Sequence, residues 1–94
     1  MTTPEGETKD AIKKLFKGRA DLFPFWPVQM GYGQAIIDCL LCCRGRYVGI
    51  ECKKEGVDEP TSRQAKTMTD IRAAGGVTYL VTIKNGELEW IEIK

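Results

Sequence analysis

The chain contains no histidine. That absence excludes Ser-His-Asp and Cys-His catalysis, and any histidine-ligated zinc site. Long hydrophobic runs are missing too: nothing approaches the roughly 20 consecutive apolar residues of a membrane span. The first residues, Met1-Thr-Thr-Pro-Glu-Gly-Glu-Thr-Lys9, have no apolar stretch of the signal-peptide kind. Both absences lead us to expect a soluble intracellular protein with no membrane partner. Neither sign of charge is in excess, with 14 Lys and Arg against 13 Asp and Glu and a net charge of +1. Such a balance neither demands nor excludes nucleic acid, because a local patch matters more than the sum. There is no GxGxxG phosphate loop, no internal repeat and no low-complexity segment.

Within those bounds, 94 residues make a single domain, and a hydrophobic content of 43% allows a modest core. The basic residues cluster. Lys9, Lys13, Lys14, Lys17 and Arg19 fall in and just after a first helix; Arg44 and Arg46 flank a turn, and Lys53, Lys54, Arg63 and Lys66 follow it. Cys39, Cys42, Cys43 and Cys52 match zinc spacing poorly. On a strand, Cys39 and Cys42 point to opposite faces, so we read the four as buried free thiols, in keeping with a reducing compartment.

Helix, strand and turn signals alternate along the chain. A first helix is expected over about Pro4 to Lys17, capped by Thr3, with proline at its first position and an apolar stripe of Ile12, Leu15 and Phe16. Glu5 and Glu7 lie in its first turn, where the helix dipole favours acids. Residues 21–30 are aromatic and twice interrupted by proline, and read as a loop entering a short first strand near Trp26 to Met30. Gly31-Tyr32-Gly33 is a turn. A strand containing Asp38 runs from Gly33 to Cys43, and its partner from Arg46 to Lys53. A second helix over 62–74 opens with a Thr61 to Gln64 capping box and buries Ala65, Met68 and Ile71. Strands over 77–83 and 87–93 flank an Asn85-Gly86 type I′ turn. The strand–helix–strand unit from 47 to 83 predicts a right-handed crossover between parallel strands, hence a mixed sheet. The second helix is expected on the same face as the first or on the opposite one.

The most informative feature is Asp38 together with Glu51-x-Lys53. Glu51 and Lys53 share one strand face. If Arg44-Gly45 is a two-residue loop, directly opposed residues have numbers summing to 89. Asp38 then faces Glu51 with Cβ atoms about 5 Å apart. Opposed acids destabilise a bare hairpin, so something must offset their repulsion. A hard divalent cation such as Mg²⁺ does so, accepting carboxylate oxygens while keeping several waters. Such an ion polarises a phosphoryl oxygen and makes hydroxide available near neutral pH. A neighbouring lysine neutralises charge developing on the phosphate or positions the attacking water. These parts suit phosphodiester hydrolysis. The plainer alternative is a hairpin with ordinary solvent-facing charges.

The layout resembles the PD-(D/E)xK nuclease superfamily, and more closely its small virus-type replication-repair nuclease (VRR-NUC) domain. Four segments between residues 4 and 76 carry the resemblance: Pro4-Glu5-Gly6 with Ile12-Lys13-Lys14-Leu15, Gly31-Tyr32-Gly33 leading to Asp38, Gly45 to Lys53, and Pro60 to Gln64 followed by Gly75-Gly76. Ile37 stands where the common pattern has proline. The resemblance implies an α/β, restriction-endonuclease-like αβββαβ core, with a mixed central sheet flanked by two helices. It implies Asp38, Glu51 and the Cys52 backbone carbonyl as ligands of Mg²⁺ or Mn²⁺. Lys53 would act on water or phosphate, Gln64 would support the site from the second helix, and Glu5 would reach it from the first, with Glu7 as the other candidate. Gln64 has a second role open to it, as capping-box partner of Thr61. Free-standing members of this size resemble homodimeric endonucleases acting on branched DNA, including four-way (Holliday) junctions. A two-fold dimer sets two active sites symmetrically. Leu88, Trp90 and the aromatic 22–26 segment are candidates for that interface, or for core packing. The implied setting is the cytoplasm of a bacterial or phage-infected cell. Two other expectations stand beside this one: a non-catalytic DNA-binding module on the same fold, and a small regulatory protein that does not touch nucleic acid.

Overall fold

The computed structural model describes residues 3–28 and 37–94. The elements run α1 (Pro4–Phe16), β1 (Leu22–Phe25), β2 (Cys39–Cys43), β3 (Arg46–Cys52), α2 (Ser62–Ala73), β4 (Val77–Lys84) and β5 (Glu87–Ile93). All five strands form one sheet in the order β1-β2-β3-β4-β5. Strands β3 and β4 are parallel, joined through α2, and every other neighbouring pair is antiparallel. The architecture is therefore α/β with a mixed sheet and two helices.

Short-range chemistry fixes most of these boundaries. The Thr3 hydroxyl accepts from the Gly6 N–H at 2.9 Å, and Pro4 opens α1 with no N–H to leave unpaired. Thr61 and Gln64 form a reciprocal capping box at the start of α2. Both hairpin turns place two consecutive residues in the left-handed region: Arg44 and Gly45 at φ 53° and 83°, Asn85 and Gly86 at φ 53° and 80°. Turns of this hand match the twist of antiparallel strands. The β2–β3 register follows, with Cys39 opposite Ile50 and Cys43 opposite Arg46.

The two faces of the sheet bury different helices. Val48, Ile50 and Cys52 of β3 join Cys39, Leu41 and Val81 in a cluster with Ile12 and Phe16 of α1. Gly49 points the other way. A methyl group there would lie 2.5 Å from Ile37 Cδ1 and 2.9 Å from Ile71 Cδ1, so its missing side chain lets α2 and Ile37 close on the strand. Met68 and Leu80 are fully buried. The helices thus lie on opposite faces, which settles the question the sequence left open.

Three expectations change. The first strand lies at Leu22–Phe25, ahead of the expected Trp26 to Met30, and contains Pro24 paired with Leu41. Among the described residues it is a sheet edge with one row of backbone groups without a partner, which is where a residue lacking an N–H fits. Leu15 is 50% exposed and leaves the apolar stripe of α1; Thr8, one turn before Ile12, is buried instead. All four cysteines are free, but only Cys39 and Cys52 are buried, whereas Cys42 is exposed because it alternates away from the α1 face. The Gly31-Tyr32-Gly33 turn, the expected start of the Asp38 strand, and Gln29 and Met30 lie outside the described residues. Among the described residues, no helix is long and apolar enough to cross a membrane.

Candidate active site

Asp38 sits at the entrance to β2, and Glu51 is the penultimate residue of β3. The hairpin register carried one step past the Cys39–Ile50 pair sets these residues opposite each other. Both are buried, at 9% and 4% exposure. Asp38 Oδ2 accepts from the Cys52 N–H at 2.9 Å, and Asp38 Oδ1 lies 3.2 Å from Lys9 Nζ. The Asp38 and Glu51 carboxyls are within hydrogen-bonding reach of each other. A bond between two carboxyls needs a proton, and with both ionised, Glu51 Oε2 is buried without a partner among the described residues.

The electrostatics divide the pair. Burial first, then the neighbouring Asp38 and the charge of Glu5, together push the Glu51 carboxyl up to about 9. Burial acts on Asp38 as well, but the hydrogen bond from Glu51, the Cys52 N–H and the Lys9 ammonium together hold it below its ordinary value. In the metal-free protein the pair therefore shares one proton, carried on Glu51, as expected of two acids in contact. Burial also raises the Cys39 thiol to about 11, and burial beside both acids moves the Cys52 thiol upward. Neither sulfur is a thiolate at neutral pH, so these cysteines are inert packing groups.

The other expected residues differ in how closely they join the pair. Lys53 follows β3 and is 6% exposed. Its charge acts favourably on Glu51, and it makes no ion pair among the described residues. Its backbone is tied on both sides, the N–H donating to Val81 O and the carbonyl accepting from the Thr8 hydroxyl, both at 2.9 Å. Glu5 lies on the same side of α1 as Lys9 and Ile12, and its charge is felt at Glu51. Glu7 is turned about 200° from Glu5 around the helix. It lines a groove with Asp10, Lys14 and Leu88, so of the two acids Glu5 is the one on the side of the pair. The Gln64 side-chain oxygen accepts from the Thr61 N–H at 2.9 Å, which commits it to the capping box. Gln64 makes no hydrogen bond to either acid.

Two residues at the site carry no signal in the Asp…Glu-x-Lys pattern. Lys9 pairs with Asp38 across 29 positions, and fully buried Thr8 fastens α1 to the carbonyl of Lys53. A polar residue on the apolar face of α1, four positions before Ile12, is the only trace of this in the sequence.

A divalent cation fits this place by one observation. Glu51 Oε2 is a buried carboxyl oxygen with no hydrogen-bond partner among the described residues, beside the Asp38 carboxylate, which is the chemistry a hard cation completes on displacing the shared proton. The donor set is small. Among the described residues, no group of three or more acid, cysteine or histidine side chains converges on one point. Any ion here would take two carboxylates and fill its remaining positions with water or a backbone oxygen, as Mg²⁺ commonly does. No protein-family model, curated protein or solved structure matches the chain.

Proposed function

We propose that the chain is a metal-dependent, structure-specific DNA endonuclease of VRR-NUC type, with a restriction-endonuclease-like core, hydrolysing phosphodiester bonds in branched DNA such as four-way junctions. One observation carries this reading: two buried acids from neighbouring strands meet at the sheet end, and Glu51 Oε2 has no hydrogen-bond partner among the described residues. Pairing of this kind disfavours a purely structural role, because it costs stability that ordinary core residues would not.

In this reading Asp38, Glu51 and the Cys52 carbonyl hold Mg²⁺ or Mn²⁺, which when bound polarises the scissile phosphoryl group and makes hydroxide available. Lys53 balances the charge gathered on the phosphate. Glu5 adds negative charge at the mouth of the site. Gln64 keeps α2 in place through its cap. Trp90 and the exposed Phe23 and Phe25 offer apolar surface for a second copy, whose two-fold symmetry would suit paired incisions. The setting we propose is the cytoplasm of a bacterial or phage-infected cell.

The test is incubation with single-stranded, duplex, flap and four-way-junction DNA, with and without Mg²⁺ or Mn²⁺, with the free protein sized in parallel. Junction cleavage is expected only with metal. Asp38→Ala and Glu51→Ala should each lower it by about a hundredfold or more, with folding intact by circular dichroism. Full cleavage by either purified variant would defeat the proposal. The second reading, a non-catalytic DNA-binding module, is favoured by the Lys9 ammonium already seated on Asp38. It predicts salt-sensitive binding without cleavage in any metal.

A further inference from the structure

Asp38 Oδ1 already has a cation. Lys9 Nζ stands 3.2 Å from it, and the other carboxylate oxygen is held by the Cys52 N–H. This ammonium is not a loose surface charge brought near by chance. The preceding residue, Thr8, is fully buried and anchors α1 to the Glu-x-Lys strand through the Lys53 carbonyl. Helix, strand and ion pair are thus joined at two consecutive positions. Yet the Lys9 side chain is 38% exposed, so its head has a path to water. Lys53 differs: it is buried and acts on Glu51. Lys9 thus acts chiefly on Asp38, and more weakly on Glu51.

An ammonium and a divalent ion cannot share Asp38 Oδ1. Two like charges held at one oxygen of a partly buried site repel, and a doubly charged ion repels the ammonium more strongly than a single charge would. We propose that Lys9 is a built-in counter-cation, which neutralises the acid pair while metal is absent and leaves Asp38 when a divalent ion enters. The proposal rests on the nuclease reading for the presence of the ion. It adds a residue on α1 that sets how tightly the ion is held. Because the lysine competes for the site, its removal strengthens metal binding. A lysine that merely orients Asp38 would have the opposite effect.

The sign of one measurement decides between them. Mn²⁺ affinity of the intact chain is measured by calorimetry without DNA for wild type, Lys9→Met and Lys9→Arg. Lys9→Met keeps the apolar stem and loses the charge, and should bind Mn²⁺ about two- to fivefold more tightly, the factor expected of one partly exposed competing ion pair. Lys9→Arg keeps a competing cation and should show no such gain. Lys9→Gln, checked with the others for folding by circular dichroism, gives a second neutral variant and should follow Lys9→Met. Equal or weaker Mn²⁺ binding by folded Lys9→Met and Lys9→Gln overturns the exchange while leaving a metal site in place. Failure of wild type and all three variants to bind Mn²⁺ overturns the metal site itself.

Discussion

Neutralising Glu51 should make the metal-free protein more stable and abolish its response to divalent ions. In the folded chain the Glu51 carboxyl titrates near 9, against an ordinary value of 4.5. A carboxyl raised in this way contributes its full stability below about pH 4.5. That contribution is lost as pH rises toward 9, because the unfolded chain releases the proton first. Each unit of difference is worth about 1.4 kcal/mol, so at pH 7.5 retention of the proton costs the folded state up to about 4 kcal/mol. Glu51→Gln keeps the shape, donates an N–H toward Asp38 as the protonated acid does, and carries no such cost. We expect it to gain about 2–4 kcal/mol at pH 7.5 and little at pH 5. For a domain of this size that is a rise in Tm of roughly 10–20 °C, read by thermal unfolding with EDTA present. The wild type should lose Tm steadily between pH 5 and 9, while the variant stays nearly level over that window. Mn²⁺ must expel the Glu51 proton to bind, so it should stabilise the wild type more at pH 8 than at pH 6 and leave Glu51→Gln unmoved. A wild-type Tm independent of pH across this range, or a variant less stable than wild type at pH 7.5, would refute the account of the acid pair.

Three further outcomes follow from the same geometry. Thr8→Val leaves the Lys53 carbonyl without its buried donor, and should cost about 1–2 kcal/mol in urea unfolding, together with some loss of cleavage through displacement of the Glu-x-Lys strand. Gly49→Ala drives a methyl group against Ile37 and Ile71, and should cost about 1–3 kcal/mol with the denaturant slope unchanged; a neutral result would mean that α2 and the Ile37 segment yield freely. Asp21 is held down to about 2, first by its bond from Arg19, so the turn joining α1 to β1 should keep its ion pairs down to about pH 3; a shift of the Asp21 carboxyl signal by NMR between pH 5 and 4 would contradict this.

The comparison of the acids with the lysines shows how unequally the site was legible. Asp38 and Glu51 could be paired by counting, because Arg44-Gly45 is a two-residue turn and every later pair in the ladder inherits its register. Gln64 could be read as a cap or as a site residue. The capping box is satisfied within four residues, so local geometry claimed the side chain first. Lys9 could not be found from the Asp…Glu-x-Lys motif at all. Its partner lies 29 positions away, and only the packing of Ile12 and Phe16 against the sheet brings that face of α1 to Asp38. The first strand was misplaced for a related reason. Proline reads as a strand breaker unless the strand is known to be an edge, and edges are defined by what fails to pair.

The amino-acid order by itself determined the capped helix starts, the Asn85-Gly86 type I′ turn, the parallel crossover and, once Arg44-Gly45 is a two-residue loop, the offset that sets one acid against another. These depend on hydrogen bonds and steric preferences spanning a few residues, or on a register that propagates from a turn. Tertiary structure alone decided which side of the sheet each helix covers and that a lysine from α1 neutralises Asp38. Those outcomes arise where separate layers bury their apolar faces against each other, and no local spacing encodes which charged groups such packing will bring together.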